Sequence, residues 1–100
     1  MNKCHFLGRA KGIEYTAKDA DNPSCITFML EVEEYRRSTT NKKIREYNYL
    51  DMEAWDSAAY ALNLYIEEGY ELAVEAIARG DGEATWFRIT NFKILSKDVQ

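Results

Sequence analysis

One histidine, one proline and two cysteines are spread through 100 residues, and no apolar run approaches the length of a membrane-spanning helix. Each scarcity removes a class of function. The chain has no HExxH, no paired CxxC and no glycine-rich phosphate loop. GDG at 80–82 reads as a hairpin turn rather than a phosphate cradle. Cys4 or Cys25 acting as a nucleophile needs a base, and His5, next to Cys4 in a strand, points to the opposite face. The carboxylates are numerous but scattered on solvent faces, so no general acid–base pair stands out. The expectation is a protein with no catalytic residues, no metal ligands and no cofactor. MNKCHFLGRAKG also lacks the apolar stretch and cleavage site of a secretory signal. Both cysteines are therefore expected to be small buried thiols in a cytoplasmic chain.

What is present suits one compact domain, expected over residues 1–95 with a short polar tail at 96–100. Hydrophobic residues make up 46% and charged residues 30%, which is ordinary for a globular protein. Net charge is −4, against a nucleic-acid partner at first sight. Its distribution matters more. Arg36, Arg37, Lys42, Lys43 and Arg45 fall in ten residues without an acid, while Glu31, Glu33 and Glu34 precede them and Asp51 and Glu53 follow.

Along the chain, residues 3–9 read as a strand with Cys4 and Phe6 on one face and His5 and Leu7 on the other. Residues 17–24 collect turn formers and the proline, and read as a loop. CITFMLEVEEY alternates, with Ile26, Phe28, Leu30 and Val32 facing a core. RRSTTNKK is a polar hairpin tip. IREYNYLDME returns with Ile44, Leu50 and Met52 inward, Asn48 as the imperfect member, and the odd positions outward. From Trp55 the period changes to that of a helix, with Ala58, Ala59, Leu62, Tyr65 and Ile66 on its stripe. Asp56 or Ser57 is expected to cap its start and Gly69 its end. Strands at 70–78 and 84–95 flank a tight turn. Phe87 and Ile89 differ in parity from Phe92 and Ile94, which predicts a bulge near Thr90–Asn91. An all-β chain with one helix between the third and fourth of five strands has the connectivity of the OB-fold barrel.

Tyr35, Tyr47 and Tyr49 share the outward parity of the two strands joined by the basic hairpin. Half-exposed tyrosines are common on sheets. Beside a run of Lys and Arg, however, they form the surface on which single strands stack their bases while cations track phosphates. Trp86 and Arg88 offer a second stacking and phosphate pair. Trp55, at the strand–helix seam, suits a barrel plug or a ligand contact equally well.

MNKCHFLGR resembles the first strand of bacterial-type single-stranded DNA-binding proteins, which open MNK–apolar–x–L–x–G–R/N. ITFMLEV resembles that family's second strand, with Phe28 and Leu30 in register. Tyr49-Leu50-Asp51-Met52-Glu53-Ala54-Trp55, continuing to Tyr65-Ile66-Glu67-Glu68-Gly69, is similar to its third strand and helix. The resemblance implies an OB-fold that coats single-stranded DNA in replication, recombination and repair, and a homodimer or homotetramer paired through the first strand. It places Tyr49 and Trp55 at stacking positions and Tyr35 near a third, and it gives Lys3, Arg9 and the hairpin cations phosphate contacts. The chain is similar to a short, phage- or plasmid-encoded version without the family's acidic tail. The alternative is an acidic OB-fold protein-interaction module of the primosomal type, with weak or no nucleic-acid binding.

Overall fold

A computed structural model describes residues 2–99, so Met1 and Gln100, at the two ends of the expected domain and tail, lie outside the described residues. The elements are β1 (Cys4–Thr16), β2 (Cys25–Arg37), β3 (Lys43–Trp55), α1 (Asp56–Tyr65), β4 (Glu71–Gly80) and β5 (Thr85–Ser96). The strands close into a barrel in the order β1-β2-β3-β5-β4. This is the OB-fold, with the helix where the sequence put it.

Alternation builds the barrel. Ile26, Phe28 and Leu30 of β2, Met52 and Ala54 of β3, Leu72, Val74 and Ala76 of β4, and Ile89 of β5 point inward and are buried. Ala59 and Leu62 of α1 and Ile66 just beyond it complete this core. The Thr90–Asn91 bulge is real: Ala76 pairs with Ile89 and Glu75 with Asn91, leaving Thr90 as the extra residue. It switches the inward parity from Ile89 to the half-buried Phe92 and Ile94.

Four local expectations need correcting. β1 runs to Thr16, well past residue 9, because it changes neighbours at Arg9 and continues along β2 through a register shift between Lys11 and Glu14. It pairs with β4 over Cys4–Arg9 and with β2 from Arg9 onward. The helix is not capped by Asp56 or Ser57. Trp55 holds the N-cap position without a side-chain bond, and Asp56 adopts φ 55°. Asp56 N–H donates to Ser24 O at 2.9 Å while Ser24 Oγ donates to Asp56 O at 3.0 Å, and this strap substitutes for the cap. Gly69 does not end the helix either; Ile66 is its C-cap. With φ +84°, Gly69 turns the chain so that its N–H reaches Ala10 O at 2.8 Å. Trp55 and Tyr65, counted on the helix stripe, are 39% and 62% exposed.

Every residue of β2 pairs with one of β3, from Cys25↔Trp55 to Arg37↔Lys43, without a bulge. Beyond Leu30 and Leu50 this ribbon leaves the barrel as an arm, which explains why Asn48 is tolerated at an even position: it is exposed and donates to Glu34 at 2.7 Å. The molecule spans 58 × 35 × 22 Å. The barrel's closure is much shorter, since β3 and β5 share only the parallel pairs Met52↔Phe87 and Glu53↔Arg88.

Candidate nucleic-acid interface

The unbroken register fixes what shares the arm's outer face. Odd residues of β2 lie opposite odd residues of β3: Tyr35 opposite Arg45, Glu33 opposite Tyr47, Glu31 opposite Tyr49, and Cys25 opposite Trp55. Tyr35, Tyr47, Tyr49 and Trp55 are 47%, 44%, 53% and 39% exposed on this one face. At ~3.3 Å per residue, Tyr49 and Trp55 stand roughly 20 Å apart along β3.

Two clusters form on it. The first lies in a hollow of about 520 Å³ where the arm bends over β1, bringing Arg9 and Lys11 together with Tyr35, Arg45 and Tyr47. Lys43 Nζ stands 4.1 Å from the centre of the Tyr35 ring, and Arg45 Cζ stands 5.6 Å from it, both within cation–π range. The second gathers Trp55, Trp86 and Arg88 around Glu53 at the β3–β5 seam. Tyr49 lies between the two.

Acids are threaded through the same face. The Tyr35 hydroxyl donates to Glu33, and this bond raises the phenol's pKa above its usual value. Tyr49 Oη donates to Glu31 at 3.0 Å with the same effect. Arg45 Nε lies 2.9 Å from Glu33. The Arg45 pKa is raised, first by its bond to the Tyr47 hydroxyl at 3.4 Å and then by the nearby Tyr35 and Glu33 side chains. Burial pushes the Cys25 thiol up, helped by the Glu53 charge, which keeps it a protonated, unreactive group.

Other expected contacts lie elsewhere. Arg36 is on the arm's opposite face, 2.5 Å from Glu46. Arg37 donates to Asn41 O at 3.3 Å, and Lys42 is exposed in the tip, where Ser38 Oγ accepts from Lys42 N–H at 3.1 Å. Lys3 pairs with Glu75 of β4 at 3.2 Å, away from the β2–β3 face. Arg9 Nη1 donates to Gly69 O at 2.7 Å and Asp98 O at 2.6 Å, clamping the end of the chain while it lines the hollow. The sequence reading missed Lys11 and the roles of Glu31, Glu33 and Glu53. Their signal was parity: all three acids share the odd register of the tyrosines. Among the described residues no group of three His, Cys, Asp or Glu side chains is placed to hold a metal, and no helix is long and apolar enough to cross a membrane.

Solved structures share this architecture. The protein PriB from Ralstonia solanacearum superposes with a TM-score of 0.74 at 12% identity, over 95% of this chain and 98% of that one. A Plasmodium falciparum SSB in complex with ssDNA gives 0.74 at 16% identity, over 98% and 96%. A deletion mutant of the single-stranded DNA-binding protein from Thermus aquaticus gives 0.78 at 13% identity, over 97% of this chain and 51% of that one. These chains share the barrel. At such identities the likeness is one of fold. No protein-family model and no curated protein sequence matches the chain.

Proposed function

We propose that this OB-fold binds single-stranded DNA on the outer face of β2–β3 and the adjoining β3–β5 seam, stacking bases on Tyr35, Tyr47, Tyr49, Trp55 and Trp86. It acts without catalysis, coating the strand in replication, recombination or repair. The observation that carries this reading is the single exposed face holding three tyrosines and Trp55 in one unbroken ladder. Flat, sequence-tolerant platforms of this kind are what an unpaired strand requires. Fold neighbours that include a single-stranded DNA complex support the choice of ligand. Arg9, Lys11, Lys43 and Arg45 supply cations beside the tyrosines. The exposed ion pairs involving Lys3, Arg36 and Arg45 are each worth little in water, so a phosphate competes with the carboxylate for its cation.

The pairing of Tyr35 and Tyr49 with carboxylates favours a second reading, a module that docks a basic protein partner on an acidic, aromatic face. One titration separates the two. Oligo(dT) added at low salt quenches the tyrosine and tryptophan emission if bases stack. No quenching with protein at high micromolar concentration overturns the DNA reading and leaves the module.

A further inference from the structure

Both tryptophans and Arg88 converge on one carboxylate. Glu53 Oε1 accepts from Trp86 Nε1 at 2.8 Å and from Arg88 Nε and Nη2 at 3.3 Å each. Glu53 Oε2 accepts from Trp55 Nε1 at 3.0 Å. The Glu53 side chain is 13% exposed, against 27%, 43% and 41% for the carboxylates of the three other ion pairs. Three of the four donors crowd onto Oε1 and one onto Oε2, so most of what the carboxylate can accept is already committed to these side chains.

An indole has a single polar atom, and here each indole is tethered by it. The ring faces are what remain for contact. A cleft of about 370 Å³ lies against Trp86, Thr27 and Met29, and one of about 350 Å³ against Trp55, Pro23 and Arg88. Both are of the size that takes a small aromatic ligand. Glu53 is also one of the four residues whose pairing closes the barrel between β3 and β5, so the tether bridges the two strands at their seam.

We propose that Glu53 is a positioning residue. It holds the two indoles as base platforms across the seam and neutralises Arg88, so this end of the face stacks bases and does not grip phosphate. The inference rests on the single-stranded DNA reading above. The chemistry favours a carboxylate here. A neutral amide has one acceptor oxygen, so it holds only one of the two indoles and does not hold a guanidinium by charge, and an apolar side chain does neither.

The test compares wild type, Glu53→Gln and Glu53→Leu in oligo(dT) titrations across a salt range, with the two indole N–H signals followed by NMR. Glu53→Gln shifts the signal of the indole it releases and loses less affinity at high salt than Glu53→Leu, and its slope of log K against log salt steepens by about 0.7 as Arg88 gains a phosphate. Glu53→Leu shifts both indole signals and loses about tenfold in affinity at high salt, where Arg88 contributes little. A Glu53→Leu protein that binds like wild type at high salt overturns the proposal, as does a Glu53→Gln slope equal to wild type. If the Leu variant does not fold, the Gln slope and indole signals decide alone. A wild type that fails to bind removes the DNA reading and this proposal with it, whereas a binding wild type with indifferent variants removes only the proposal.

Discussion

Tyr49 and Glu31 face each other directly across the β2–β3 ladder, and the phenol donates to the carboxylate at 3.0 Å. The bond ties the phenol's hydroxyl to a neighbouring charge and leaves the ring exposed on the sheet. Ring and hydroxyl are therefore separable. Tyr49→Phe should retain affinity within about twofold, whereas Tyr49→Ala should lose ~1–3 kcal/mol of binding while the melting temperature stays near wild type. Trp55→Ala belongs in the same series: with Trp55 39% exposed, it should also weaken binding without unfolding the domain. Fluorescence titration and thermal melts check all three.

Besides Arg37, which donates to Asn41 O, Lys42 and Lys43 are the arm cations outside the ion pairs seen among the described residues. Reversing both to Glu should flatten the slope of log K against log salt by roughly one to two units, at ~0.7 per phosphate contact. All sequences should weaken about equally, because phosphate contacts position a strand and do not read it. The substitutions lie at the arm's tip, so stability should barely move. An unchanged slope with intact binding would place the strand along Arg9, Lys11 and the β1 hollow instead.

Gly8 lies where β1 crosses the backbone of β2. A Cβ there would stand 2.5 Å from Glu31 O and 2.9 Å from Leu30 Cγ. Gly8→Ala should cost about 1–3 kcal/mol of stability through overpacking, read as a lowered midpoint in denaturant. Because Glu31 faces Tyr49, the displaced backbone should also weaken oligo(dT) binding.

The Asp81 carboxylate accepts from Glu83 N–H and Ala84 N–H at 2.9 Å each, and these bonds lower its pKa. Asp19 does the same for Asp21 and Asn22 in the β1–β2 loop. A depressed folded-state pKa gives stability that is fully present above the unfolded value. That stability is lost as pH falls through the folded one, here from about pH 4 downward. Asp81→Ala should therefore melt below wild type at pH 7, and the gap should close as the pH approaches 2.

Between Cys4 and Gly8, β1 pairs with β4 but has no β2 partner, since that ladder begins at Arg9. Leu7, 62% exposed, stands on this open stretch. Edges of this kind are blunted or paired in native proteins. Two copies joined there about a two-fold axis give the expected symmetric oligomer. Sedimentation should show a dimer or tetramer at micromolar concentration, and Leu7→Lys should shift it toward monomer.

The fold was legible because alternation and the helical period dominate their segments. Ile26, Phe28 and Leu30 name the core face of β2, and the parity break after Ile89 names the bulge. Helix ends were not legible. Trp55 at the N-cap and the strap from Ser24 depend on a loop 32 positions away, which no local pattern encodes. For the site, parity gave the tyrosine face but not its partners. Glu53 reads as one more solvent acid until β5 is laid beside β3, since Trp86 and Arg88 reach it only through that parallel pairing.

The two ladders of β3 differ in when they can form. Its pairing with β2 closes across a five-residue tip, whose Ser38 N–H already bonds Lys42 O at 2.9 Å, and hairpins of this kind form in roughly microseconds. Its pairing with β5 joins segments separated by all of α1 and β4 and rests on two residue pairs. Loop-closure entropy makes that contact the late one. The chain should therefore zip from the arm and seal at Met52–Phe87, and hydrogen exchange should find the same seam the first to open. Each opening loosens the tryptophan pair while the tyrosines stay aligned on the arm.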